Sequence, residues 1–425
     1  MPLASSRPTV LLLSTSDTDL MTARSSGAEF RLANPARLID GELPELLSSV
    51  EVVVVRLLGG YRAWPDGLDV IAASGLPLVV VSGEQAPDAE LMQRSTVPAG
   101  IAVQAHGYLA QGGLANLRQL HDFLCDTVLM TGFGFAPPAA TPTWGVLERA
   151  CAMSVGCPQS ELKRTPCFPA DSMVQASGTD ATPDAPTIAV LFYRAQQLAG
   201  NTGYIEALCC AIERAGGRPL PVFCTSLRTP PAELLDLLGT ADAMVVTVLA
   251  AGGATPASVG AGGDDDSWDV KHLAALDIPI LQGLCLTSSR ARWSANDDGM
   301  SPLDVATQVA VPEFDGRIIT VPFSFKEIDS DGLISYVPDP ERCTRVAGLA
   351  VNHARLRRVP PAEKRLALIF SAYPTKHARI GNAVGLDTPA SAIALLKALR
   401  DSGYDIGDVP GVETNDGDAL IHALI

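Results

Sequence analysis

The stretch AYPTKHARIGNAVGLDTPAS, Ala372 to Ser391, carries the strongest chemistry in the sequence. Lys376, His377 and Arg379 fall within four positions, and Gly381, Asn382, Gly385 and Asp387 follow. Arg379 offers a planar fork of donors to a carboxylate, and Lys376 a point charge. His377 can move a proton near neutral pH or ligate a transition metal. The two glycines let backbone approach a flat or bulky ligand. Asp387 suits the cap of the next helix better than it suits catalysis. Residue types alone leave a second reading open, a surface loop with solvated cations and an incidental imidazole.

Other segments offer less. YRAQQLAGNTGY, Tyr193 to Tyr204, passes from a strand end into a helix, where backbone amides can receive an anion and Asn201 or Thr202 can cap. A plain capped helix fits equally well. Asn201 and Tyr204 join the candidate substrate contacts on this reading. GAGGDDDSWD, Gly260 to Asp269, can hold a divalent cation through Asp264, Asp265 and Asp266, but consecutive residues rarely converge on one ion. A solvated loop is the better reading there, able to close over a ligand with Trp268 as its apolar contact. TGFGF, Thr131 to Phe135, reads as a turn.

Several chemistries are excluded by what is missing. No lysine follows a glycine, so there is no phosphate-binding P-loop. No G-x-G-x-x-G follows a strand, and H-E-x-x-H and G-x-S-x-G are absent. None of the nine cysteines forms a C-x-x-C pair, which argues against a structural zinc site.

Elements that position the candidate residues are legible as short β-branched runs, each followed by a loop and a helical pattern. Thr9–Thr15, Val50–Leu58 and Leu76–Gly83 form a first set of strands. Thr187–Ala195, Arg218–Cys224, Asp242–Ala250 and Ile278–Gly283 form a second, and Arg365–Tyr373 begins a third. Continuous apolar strands without alternation are what a parallel sheet covered on both faces requires. The expected fold is therefore α/β, with consecutive doubly wound, Rossmann- or flavodoxin-like parallel-sheet domains. Phe323–Tyr336 reads as strand, polar turn and strand. Thr388 is an expected cap of a helix whose face carries Leu395 and Leu399, with Ile393 and Leu396 beside them and Gly403 after its last turn.

The expected divisions are an N-terminal α/β domain over residues 1–148, a Ser/Thr/Pro-rich linker or insertion over 149–186, and a second α/β domain over 187–360. Residues 361–425 begin a third. One βα unit cannot bury both faces of a sheet, so the chain reads as part of something longer. A net charge of −16 opposes contact with phosphate backbones, so no nucleic acid is expected. No apolar run approaches the roughly 20 residues a bilayer needs, and no signal peptide is recognisable. A cytoplasmic location, with reduced thiols, is the expectation.

Several long blocks, in order, resemble the CobN-type large subunit of aerobic cobaltochelatase, a group related to the H subunit of magnesium chelatase. They are VLLLSTSDTDLMTARSS, VLFYRAQQLAGNTGYIEALCCAIERAGGRPLPVFCTSLR, LQGLCLTSSRARW, QVAVPEFDGRIITVPFSFKE and the opening stretch with the helix after it. The resemblance implies insertion of Co2+, as substrate, into hydrogenobyrinic acid a,c-diamide during cobalamin biosynthesis. It implies CobS-like and CobT-like partner subunits that carry ATP and Mg2+. His377 would then act as metal escort or proton acceptor, Lys376 and Arg379 would meet ring carboxylates, and Asn382 ring amides. Family members are several-fold longer, so this portion alone is expected to be inactive. A magnesium chelatase H-type subunit and a non-catalytic tetrapyrrole-binding module are the competing expectations.

Overall fold

The computed structural model describes residues 7–149, 185–252, 270–295, 297–330, 332–370 and 385–424. They fall into two compact units, Met1–Val351 and Asn352–Ile425. The first is built on two sheets. Strands β1 (Val10–Ser14), β2 (Phe30–Ala33), β3 (Val52–Leu57) and β4 (Leu78–Ser82) run parallel in the order β2-β1-β3-β4. Every residue of β1, β3 and β4 is buried, which is why these strands read as unbroken apolar runs. Leu12, Val54 and Val79 pack on one face with the helices Ala99–Gln111 and Leu114–Val128, while Leu13, Val55 and Val80 pack on the other.

The second sheet has seven strands: β5 (Trp144–Val146), β6 (Thr187–Tyr193), β7 (Arg218–Cys224), β8 (Ala243–Val246), β9 (Ile280–Leu286), β10 (Ile318–Ile328) and β11 (Ile334–Pro338). Their order is β11-β10-β9-β8-β6-β7-β5. The five inner strands are parallel, and β5 and β11 close the edges antiparallel. Pairing of β10 with β9 shifts register around Pro322, which has no N–H to give to the ladder. The α/β expectation therefore holds, and the strand–turn–strand reading of Phe323–Tyr336 becomes the β10–β11 hairpin.

That hairpin ties the two sheets together. Leu333, at its turn, is 3% exposed and belongs to the core on one face of the first sheet. Beside it Arg24 Nη1 pairs with Asp329, and Arg37 Nη1 donates to the Gly332 carbonyl at 2.7 Å. An apolar side chain fixed by flanking charges sets register more firmly than the charges alone would.

In the second unit, helices Thr388–Asp401 and Gly417–Leu424 enclose a small core of Ala392, Ile393, Val412 and Leu420. The buried stripe is set by Ala392, Ile393 and Leu396, so of the residues read as the apolar face Ile393 and Leu396 turn inward, whereas Leu395 is 44% exposed. Of the two residues read as caps, Asp387 takes the role and Thr388 does not. Asp387 Oδ1 accepts from Ala390 N at 3.0 Å, and the Thr388 hydroxyl is buried without a partner. Arg365–Phe370 forms no strand among the described residues, because an apolar run becomes a strand only against a neighbour that completes its hydrogen bonds. Most of the expected linker, and all of the acidic run 260–269, lies outside the described residues.

Leu333→Ala should lower stability by about 2–5 kcal/mol, since the hairpin turn buries this side chain in a formed core. Urea denaturation monitored by circular dichroism measures it, and a loss smaller than about 1 kcal/mol would show that Leu333 does not join the sheets.

Candidate functional site at the strand carboxyl ends

Lys376, His377, Arg379 and Asn382 lie outside the described residues. What is described beside them is the entry into the helix, where Gly385 takes a left-handed φ of 79° and Asp387 caps. Glycine reaches that conformation without strain, and a side chain would not.

Asn201 and Tyr204 are both well covered. Asn201 Oδ1 accepts from the Tyr336 backbone N–H in β11 at 3.2 Å, and its amide nitrogen lies 4.0 Å from Met21 Sδ in the helix Asp17–Ser26. It therefore bridges the two sheets beside the hairpin. Tyr204 is 2% exposed, stacks near Phe323 and Tyr336 at 6.1 and 5.5 Å, and has its phenol pushed well up by burial. A direct contact with substrate would require uncovering it.

Polar chemistry collects instead at the carboxyl ends of the strands. Strand order reverses at β1 in the first sheet and at β6 in the second, and open α/β sheets bind ligands at such points. Ser14 and Arg56 are register partners at the ends of β1 and β3. Arg56 is buried and uses four of its five N–H donors: Nη1 pairs with Asp19 Oδ1 at 2.8 Å and donates to Leu109 O, Nε donates to Ser82 O, and Nη2 to Gly83 O. Ser14 Oγ donates to the other Asp19 oxygen at 2.7 Å. His106, nearby, holds the Glu84 carbonyl at 3.1 Å through Nε2. Burial pushes its pKa down, and the neighbouring Arg56 charge adds to that, against the rise from the Glu84 bond.

A cleft of about 260 Å³ opens between these ends and those of β6 and β7. Ser16, Thr18, Asp19 and Arg56 line it from the first sheet, and Tyr193, Arg194 and Thr225 from the second. Tyr193 Oη accepts from Leu249 N at 2.8 Å, so the phenol also fixes the loop after β8.

That loop has a second anchor. Asp315 accepts from the amides of Ala251 and Gly252 at 2.6 and 3.0 Å, while Arg317 donates to it and to the Val248, Leu249 and Gln282 oxygens. Both side chains are fully buried. Asp304, equally buried, takes Thr287 and Ser301 hydroxyls at the end of β9. The sequence reading missed these groups. Their signal was present: Arg56 interrupts an apolar strand, and Asp315 and Arg317 flank a glycine next to one. A charge inside an apolar run must meet a partner.

Among the described residues no group of three or more His, Cys, Asp or Glu is arranged to hold a metal. Cys209, Cys224 and Cys343 have thiols pushed up to about 12 by burial, which disfavours the thiolate a metal needs. In the helix Gly203–Arg214 Cys209 is buried and Cys210 exposed, so these adjacent cysteines face apart. No described helix is long and apolar enough to cross a membrane.

Comparison with known proteins gives a consistent picture. Residues 106–425 match the family model described as CobN/Magnesium Chelatase. The catalytic subunit of cobaltochelatase from Mycobacterium tuberculosis is 69% identical, with a TM-score of 0.83 over 99% of this chain and 33% of that one. The CobN subunit of aerobic cobaltochelatase from Pseudomonas aeruginosa is 33% identical over 93% of this chain and 30% of its own length. The H-type subunit of magnesium chelatase from Rhodobacter capsulatus is 27% identical over 53% of this chain. The chain spans about a third of the length of the cobaltochelatase relatives it matches.

Two tests follow from the buried polar groups. Asp315→Ala leaves Arg317 without its carboxylate and two amides without an acceptor, so stability should fall by about 3–5 kcal/mol. Hydrogen exchange at Ala251 and Gly252 should accelerate at the same time, and protected amides there would contradict the anchor. For His106, a folded pKa below the unfolded value means stability present above about pH 6.5 and lost as pH falls toward the folded pKa. Imidazole NMR should show a midpoint below about 6.5, and one above it would reverse the sign.

Proposed function

The chain belongs to the CobN/magnesium chelatase family, and from that premise we propose that it is a portion of the tetrapyrrole- and metal-binding large subunit of an ATP-dependent cobaltochelatase. The complete subunit inserts Co2+ into hydrogenobyrinic acid a,c-diamide in aerobic cobalamin biosynthesis. One observation carries this reading, the likeness to the mycobacterial catalytic subunit across nearly the whole of this chain. Coverage favours cobalt over magnesium, because the CobN relative aligns along most of the chain and the magnesium relative along about half. CobS-like and CobT-like partners supply ATP and Mg2+, in keeping with a sequence that has no P-loop.

Metal insertion requires stripping water from the cation, removing two pyrrole N–H protons and bending the ring. In this proposal His377 takes up a proton or escorts the metal, since a neutral imidazole does either near pH 7. Arg379 and Lys376 pair with the carboxylates at the ring periphery, and Asn382 with its amides. Asn201 and Tyr204, whose polar atoms bond inside the first unit, serve as positioning residues for that unit.

In the complete subunit with its ATPase partners, His377→Ala should slow cobalt insertion by about a hundredfold with little change in corrinoid affinity. Arg379→Ala should weaken corrinoid binding by about tenfold. Fluorescence titration and single-turnover insertion separate the two effects, and unchanged values would remove both residues from the site. Tighter binding of protoporphyrin than of hydrogenobyrinic acid a,c-diamide would move the assignment to the magnesium branch.

A further inference from the structure

The cleft between the two sheets carries charges that the metal-insertion chemistry does not use. Its charged lining consists of Asp19, Arg56 and Arg194, with the neutral phenol of Tyr193 beside them. Asp19 and Arg56 neutralise each other at 2.8 Å. Arg194 is left over. It is half-buried at the end of β6, with Nε donating to Pro142 O at 2.7 Å and Nη2 shared among Gln111 O and the Thr141 oxygens. All of these acceptors are uncharged, Nη1 has none among the described residues, and no described carboxylate forms an ion pair with Arg194. Burial lowers its pKa with no acidic neighbour to offset the effect. A half-buried cation without a counter-charge is costly, and here it stands in a protein whose net charge is −16.

Two further donors in the cleft are unspent. The hydroxyls of Ser16 and Thr18 line it and make no hydrogen bond to a described residue. The acids in the first turn of the helix they begin are occupied, Asp17 with Arg37 and Asp19 with Arg56, so they do not cancel Arg194. Both sheets offer the ends at which ligands bind, and the hairpin latch and Asn201 hold those ends in place. At about 260 Å³ the space lies near the small end of ligand sites, roughly 300–1,000 Å³, and is too small for a macrocycle.

We propose that this cleft binds a small, polar molecule through an oxyanion, a carboxylate or a phosphate, with Arg194 as its charge partner and the Ser16 and Thr18 hydroxyls as further donors. The proposal draws on no residue of the proposed metal-insertion loop and stands whether or not that reading does.

Calorimetric titration of the full chain at low ionic strength, with malonate in one arm and inorganic phosphate in the other, tests it. At least one probe should saturate a single site, and the tighter arm identifies the oxyanion. Arg194→Gln should weaken that binding by about tenfold or more. Ala195→Trp should abolish it, because Ala195 is exposed on the cleft wall and a bulky side chain there fills the space without removing an internal bond. If Arg194→Gln does not fold, Ala195→Trp decides. The proposal is overturned if neither probe saturates the wild type below roughly 10 mM. Affinity unchanged in either folded variant overturns it equally.

Discussion

A parallel sheet that buries both faces leaves polar groups only one way out, at the strand ends. This constraint organises the first unit. β1, β3 and β4 expose no residue to solvent, and β6 is covered along its central five. Charges can therefore enter only where the ladder stops, and only with partners. Arg56 with Asp19 and Arg317 with Asp315 obey that rule. The same rule makes Arg194 conspicuous, since it stands at a strand end with carbonyls and a hydroxyl for company but no carboxylate among the described residues.

The constraint also explains which parts of the fold were legible in the sequence. Long, fully buried strands announce themselves, and the inner strands fall where the apolar runs lie. β2 and β5 did not, being short edge strands of intermediate burial whose pattern resembles any loop. Phe323–Tyr336 was readable as a hairpin, but nothing local says that Leu333 ends in the core of a different sheet. Arg365–Phe370 shows the opposite failure. Its apolar run promised a strand, yet strand formation depends on a neighbour that a local reading cannot supply.

The functional signals divide along similar lines. His377, Arg379 and Lys376 are proposed from residue type and spacing alone, and family resemblance came from several long blocks rather than from one motif. Tyr204 and Asn201 looked available because they follow a strand end. Packing by Phe323 and Tyr336 and a bond to β11 turn them inward. Asp387 and Thr388 both read as caps, and the choice between these adjacent oxygens is one that only backbone geometry makes.

Together these contacts make the two sheets one body, with its cleft formed before any ligand arrives. Leu333, Arg24, Arg37 and Asn201 all join them. Native-state hydrogen exchange in increasing urea tests this most directly. The account predicts that the slowest amides of β1 and β3 merge with those of β6 and β8 into a single global opening. Exchange of β1 and β3 through a cheaper opening, with β6 and β8 still protected, would contradict it.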